Sequence, residues 1–233
     1  MKVKIFADGA DMDGILKEYK KGKVQGFTTN PSLMKKAGVT DYKHFAMEIL
    51  SNVKDMPISF EVFSDELEAM KKEALEIASW ADNVYVKIPV TNTKGEFTGS
   101  LLTELAEKHV KLNVTAVFTM EQVKQVAAAL SDTVPAIISI FAGRISDTGT
   151  DATKIMRESV QYTADRKNIE ILWASCRDLY SIVEAEACGC QIITVPNAIL
   201  EKLKLFVKDL KEYSLETVRE FFRDAASLGY KIV

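Results

Sequence analysis

The sequence predicts an α/β fold, a (β/α)8 TIM barrel built as a single domain with an extra helix at its C-terminus. Three observations carry that prediction. Eight short β-rich runs recur along the 233 residues. Between them lie polar turns and stretches with helical spacing, and strands alternating with helices imply parallel pairing through right-handed crossovers. At roughly 25–30 residues per unit, eight units give the size of a closed barrel, typically about 250 residues. A doubly wound open sheet would instead carry a glycine-rich phosphate loop after its first strand, and "ADGADMDG" (7–14) does not match G-x-G-x-x-G.

Taken in order, the first run is "KVKIFAD" (2–8), ending on Asp8. The second, "VQGFTTN" (24–30), stops where Asn30 meets Pro31, a turn signal. "ISFEVF" (58–63) precedes a stretch over 64–81 in which Leu67, Met70, Ala74, Ile77 and Ala78 fall close to helical spacing. "NVYVKI" (83–88) is the fourth run and "VKLNVTAV" (110–117) the fifth. The helix after the fifth opens with Thr119 and has Gln122 three residues on, a capping box. "PAIISIF" (135–141), "IEILWAS" (169–175) and "CQIITV" (190–195) complete the eight. The barrel is expected over 1–205. Residues 206–233 are expected to form a helical extension of the same domain, with Ser214 capping its helix and Gly229 stopping it.

Composition narrows the function. The net charge of -3 offers no basic footprint for nucleic acid. No apolar run approaches a membrane span, and the apolar stretch before Asp8 is too short for a signal peptide. Three cysteines (Cys176, Cys188, Cys190) and two histidines (His44, His109) suggest neither a disulfide framework nor a zinc site. A cytoplasmic protein is expected, with no metal, no nucleic-acid partner and no membrane partner.

A barrel builds its active site at the C-terminal ends of its strands. Those ends deliver Asp8, Asn30, Glu61, Lys87, Asn113 with Thr115, then Ser139, Ser175 and Thr194. Each has a bland reading: Asp8 as a helix cap, Asn30 as a turn residue, Thr115 as a β-former, Lys87 as an edge lysine in water. The recurrence of polar groups at nearly every strand end speaks against all of these together. Lys87 is the sharpest case, because it sits among Val84, Tyr85, Val86, Ile88 and Val90, and lysine is rarely buried without a partner. Desolvation disfavours an ammonium. The apolar neighbours are therefore expected to keep the amine neutral, and a neutral amine can attack a carbonyl to form a Schiff base. With a nearby carboxylate as acid/base and a hydroxyl to hold water, this is the equipment of a metal-independent aldolase needing no cofactor. Arg144 in "FAGRISDTG" (141–149), with Ser175 and Arg177 in "WASCRD" (173–178), suggests an anion site. Arg177 at a helix start would oppose the helix dipole, and a bound anion would relieve that conflict.

These residues resemble the transaldolase family, specifically its short-chain branch. The resemblance runs from "IFADGAD" to about residue 204 and rests on "GFTTNPSL" (26–33), "VKIPVT" (86–91), "LNVTAVFT" (112–119), "SIFAGRI" (139–145) and "ASCR" (174–177). It implies an enzyme that moves a dihydroxyacetone unit from a ketose phosphate, such as fructose 6-phosphate, to an aldose phosphate, such as erythrose 4-phosphate. Lys87 matches the Schiff-base lysine, and Asp8 the carboxylate that takes the C4 hydroxyl proton. Glu61 and Thr115 match the pair holding the water of proton transfer. Asn30, Asn113 and Ser139 match donor-hydroxyl ligands, and Arg144, Ser175 and Arg177 the phosphate clamp. The family also holds aldolases that release free dihydroxyacetone, in which Gln resembles the usual choice at 61 and Tyr at 141. Glu61 and Phe141 favour transfer. The departures are Gly9 after Asp8, a long polar loop over 90–100, and Trp173 ahead of the clamp; they bear on which sugar is admitted. Relatives of this branch are often ring-shaped, which implies a homo-oligomer with sugar-phosphate substrates.

Overall fold

The computed structural model describes residues 2–229; residues 1 and 230–233, the outermost of the expected barrel and extension, lie outside them. β1 (Lys4–Asp8) leads to α1 (Met12–Lys21), capped by the Asp11 carboxylate, which accepts from the Gly14 amide. β2 (Gly26–Thr28) is short because Asn30 leaves the ladder to cap α2 (Pro31–Ala37). Pro31 suits that first helical position, where its missing N–H costs nothing. α3 (Tyr42–Asn52), β3 (Ile58–Glu61), α4 (Leu67–Ala78) and β4 (Val84–Pro89) follow. Next come α5 (Gly99–Glu107), β5 (Leu112–Val117) and α6 (Met120–Ala129), whose Thr119–Gln122 capping box is formed. β6 (Ala136–Ile140), α7 (Ala142–Asp147), α8 (Ala152–Tyr162) and β7 (Ile169–Trp173) form the next stretch. α9 (Tyr180–Ala187), β8 (Ile192–Pro196) and α10 (Asn197–Leu200) end it.

The eight strands form a closed parallel barrel in sequence order, with β1 hydrogen-bonded to both β2 and β8. A closed sheet has no edge, so the edge reading of Lys87 falls. Side chains alternate along each strand. One parity, including Ile5, Phe60, Val86, Ile88, Ile138 and Ile171, is buried against the surrounding helices. The other parity fills the barrel. Phe6, Ile137, Leu172 and Ile192 pack together there with Ala174. Gly26 makes room for Phe6: a Cβ at Gly26 would lie 2.6 Å from that ring. Apolar side chains thus fill the middle of the barrel, and the same inward parity continues upward into Asp8, Thr28, Glu61, Lys87, Thr115, Ser139 and Thr194 at the C-terminal mouth.

The chain divides into two compact units after Leu200. The second contains a 3-10 turn (Glu201–Leu205) and α11 (Leu210–Leu228). α11 starts a turn earlier than Ser214 would place it. Asp209 accepts from the Lys211 and Glu212 amides, and no residue between it and Ser214 breaks the helix. It ends at Gly229 in a left-handed conformation, as the sequence predicts. None of its residues is buried; Phe221 and Phe222 are 66% and 75% exposed.

Candidate active site

A cavity of about 500 Å³ opens at the C-terminal mouth of the barrel. Every residue singled out from the sequence as catalytic or substrate-binding lines it except Asn113. Lys87 lies at its base, 6% exposed. The register pairs Glu61 on β3 with Lys87 on β4, which sets Lys87 Nζ 2.9 Å from Glu61 Oε2. Nζ also donates to the Thr29 carbonyl at 2.8 Å. The surroundings of the amine are therefore polar. Val84, Val86 and Ile88 belong to the opposite parity and pack outward, where α4 covers β4. The expectation that these neighbours would create an apolar pocket for the amine is corrected: strand pleating turns them away from it.

Asp8 shares the inward face of β1. Burial pushes its carboxyl above the usual range, partly offset by Lys87 and by the Thr28 hydroxyl, while Glu61 adds to the rise. Thr28 Oγ1 donates to Asp8 Oδ1 at 2.8 Å. Thr28 was not singled out in the sequence, although the alternation in "TTN" distinguishes it: Thr28 faces in, while Thr29 turns its hydroxyl to the Ser59 carbonyl at 3.0 Å.

On the opposite wall, Ser139 Oγ donates to Asn113 Oδ1 at 2.6 Å, and Asn113 Nδ2 donates to Ser59 Oγ at 2.9 Å. Asn113 is fully buried on the same inward face, so it holds Ser139 in place without lining the cavity itself. Thr115 precedes a β-bulge at which the β5–β6 register shifts between Val114 and Val117. Ala116, next to it, has φ +58, a left-handed conformation that a non-glycine residue adopts only under strain, and it lines the cavity. Asn30 uses its side-chain oxygen on the Leu33 amide at 3.0 Å, which leaves its amide NH₂ to donate into the site.

The basic wall comes from the loops after β6 and β7. The Arg144 guanidinium stands 5.3 Å from the Phe141 ring centroid, and the Phe118 ring is tilted against Phe141 with centroids 5.7 Å apart. Ser175 has φ +64. Its carbonyl passes so close to Gly143 that a Cβ there would lie 1.7 Å away, so glycine is required where these two loops meet. Arg177 forms a two-pronged ion pair with Asp147, whose carboxyl that contact holds low. Asp147 was missed in the sequence. α9 begins only at Tyr180, and Asp178 accepts from the Ser181 amide at 2.8 Å, so the dipole conflict expected for Arg177 is already met by carboxylates. Cys176 also lines the cavity, but burial pushes its thiol up to about 11, which keeps it protonated at neutral pH.

The long loop over 90–100 contributes no residue to the cavity lining. It closes on itself: Asn92 Oδ1 accepts from the Lys94 and Glu96 amides at 3.0 Å each, and Thr91 bridges Phe97. Thr93 ties it to Asp65 through Oγ1 at 2.6 Å. Trp173 is buried on the outward parity of β7, away from the cavity. Neither departure lines the cavity.

A buried amine paired with one carboxylate and sharing its cavity with a second, with hydroxyls and two guanidiniums around them, suits addition to the carbonyl of an anionic substrate. The family model described as "Transaldolase/Fructose-6-phosphate aldolase" matches residues 5–232. The chain belongs to the transaldolase/fructose-6-phosphate aldolase family. It is 39% identical over 201 residues to a probable transaldolase of Roseiflexus castenholzii, covering 86% of this chain and 88% of that one. A probable transaldolase of Streptococcus agalactiae is 35% identical over 231 residues, covering 98% of this chain and 100% of that one. Among solved structures, KGPDC from Streptococcus mutans superimposes with a TM-score of 0.58 at 11% identity, over 86% of this chain and 91% of that chain, a likeness of fold alone. As a transaldolase-family chain it is an enzyme of the transaldolase type. Among the described residues no helix is long and apolar enough to cross a membrane.

Proposed function

We propose that the chain transfers a dihydroxyacetone unit from a ketose phosphate such as fructose 6-phosphate to an aldose phosphate, through a Schiff base on Lys87. The observation that carries this reading is the Lys87–Glu61 pair at 2.9 Å, buried at the barrel mouth with Asp8 in the same cavity. Lys87 hands its proton to Glu61 and attacks the C2 carbonyl. Glu61, with a water held by Thr115, then returns a proton as the carbinolamine loses hydroxide as water. Asp8 takes the C4 hydroxyl proton, the C3–C4 bond breaks, and its electron pair flows into the protonated Schiff base to give an enamine. The iminium is the electron sink, so the chemistry calls for neither metal nor cofactor. Asn30 and Ser139 orient the donor hydroxyls, with Asn113 holding Ser139. Arg144, Arg177 and Ser175 receive the phosphate, for which Arg177 must loosen its pair with Asp147. The setting in this reading is the cytoplasm, where the three free buried cysteines stay reduced.

Transfer is favoured over release by Phe141. Its ring sits under Arg144 at the cavity wall and offers no hydroxyl to activate water against the enamine. The enamine then waits for an acceptor aldehyde. The second reading, an aldolase releasing free dihydroxyacetone, is what the Phe141→Tyr variant is expected to approach. Release of dihydroxyacetone from fructose 6-phosphate without acceptor should rise by about tenfold or more, and an unchanged rate would remove the ring from the account. The assembly expected in this reading is a homo-oligomer, supported by the exposed apolar side chains of α11.

Borohydride reduction in the presence of fructose 6-phosphate tests the reading as a whole. A stable adduct on the peptide carrying Lys87 is the expected result. No adduct with any ketose phosphate would overturn both transfer and release.

A further inference from the structure

Beyond the direct partners of Asp8, a second hydroxyl stands in line. Thr28 Oγ1 is hydrogen-bonded to Thr194 Oγ1 as well as to Asp8 Oδ1. The register explains the meeting: β1 pairs Asp8 with Thr28 on β2, and Phe6 with Thr194 on β8, so all three side chains share the inward parity. Both hydroxyls are buried, and Thr194 lines the cavity. A threonine hydroxyl has one proton. Because Thr28 spends its proton on the Asp8 carboxylate, Thr194 must be the donor in the other bond. The chain therefore runs in one direction, from Thr194 to Thr28 to Asp8.

We propose that Thr194 is a positioning residue for Asp8: by donating to Thr28 it makes Thr28 a dedicated donor to Asp8 Oδ1, which leaves Oδ2 as the oxygen that takes the substrate's C4 hydroxyl proton. This rests on the reading of Asp8 as the base of carbon–carbon cleavage. Without Thr194, the Thr28 hydroxyl is free to rotate between acceptors, and its bond to the carboxylate weakens. Chains of hydrogen bonds polarise one another in a low-dielectric site, so the outer hydroxyl strengthens the inner bond. The charged groups facing Asp8 are Lys87 and Glu61 from across the barrel. The elements packed most closely on β1, namely β2, β8 and α10, contain no titratable side chain, so what they offer is the Thr28 and Thr194 hydroxyls and the Asn197 amide.

The test compares Thr194→Val, Thr194→Ser and the parent enzyme with fructose 6-phosphate as donor and erythrose 4-phosphate as acceptor. Thr194→Val is expected to keep the borohydride adduct on Lys87 and the donor KM. Its kcat should fall about three- to tenfold, the worth of one weakened hydrogen bond. A donor to the charged form holds a carboxyl low; weakening it moves the acid limb of the kcat profile up, by about half a pH unit. Thr194→Ser, which restores the hydroxyl, should return both values close to those of the parent. If Thr194→Val does not fold, Thr194→Ala carries the same expectation. A parent-like kcat and acid limb in the valine or alanine variant would overturn the proposal. So would an equal loss in the serine variant. If the parent forms no adduct and shows no turnover, the reading of the site fails and this proposal with it. If the parent and Asp8→Asn behave as expected and only Thr194→Val is silent, the proposal alone fails.

Discussion

Lys87→Ala is expected to abolish transfer, lowering kcat by about 10⁴-fold or more, the scale seen when a covalent nucleophile is removed. No borohydride adduct should form on the variant with any ketose phosphate. The neighbouring groups cannot substitute for the amine, because carboxylates and hydroxyls do not form an iminium. The barrel itself should persist, with one local cost. Glu61 loses the cation 2.9 Å away, and a partly buried carboxylate without its partner is destabilising. Lys87→Met separates the two effects, since it keeps most of the volume and also lacks the amine. Circular dichroism and mass spectrometry of the trapped enzyme check both points. Turnover retained in either variant would refute the assignment of Lys87.

Asp8→Asn is expected to slow cleavage by about 10²-fold or more while leaving Schiff-base formation near the parent level. Trapping reports the first step and aldehyde release the second, and an equal loss in both would count against Asp8 as the base. The same substitution has an expected effect on stability of opposite sense. Burial raises the Asp8 carboxyl in the folded chain above its unfolded value. Between those two values the folded state binds more protons, so stability falls as pH rises through the window, and the cost persists above it. An amide needs no ionisation. Asp8→Asn should therefore melt higher than the parent at pH 7, and the gap should narrow as pH falls toward about 4, the ordinary aspartate range. An inactive variant that is more stable is the signature of a group held in an unfavourable state for function. A lower melting temperature at pH 7 would show that the attraction of Lys87 outweighs the burial of Asp8.

The fold was legible because its signal is periodic and repeated. Each of the eight runs overlaps one strand, and the capping box at Thr119 and the stop at Gly229 sit where their chemistry put them. Lys87 stood out because one charge in an apolar run is conspicuous, yet its environment was misjudged. Adjacent residues in a strand face opposite sides, so the apolar letters beside Lys87 describe the helix-facing side of β4, and its real neighbours come from β3 and the loop after β2. Asp147, Thr28 and Ser59 escaped for a related reason. Each is an ordinary polar residue whose importance comes from a partner far along the chain, and no local pattern marks such a pairing. Ser214 shows the limit of cap signals: Asp209 is an equally good cap, and the helix takes the first one available.

The loop over 91–98 has a consequence for how this chain tolerates change. Its hydrogen bonds are spent on itself, through Asn92 and Thr91–Phe97, and on Asp65 and Glu66, through Thr93 and Lys94, while Thr98 anchors its end to the Pro89 carbonyl at 2.9 Å. It stands beside the mouth without furnishing its wall. A segment closed in this way can lengthen, shorten or accept a graft between Thr91 and Phe97 with β4 and α5 held in their places. The loop that follows the strand of Lys87 is thereby a natural port for a reporter dye or an affinity handle.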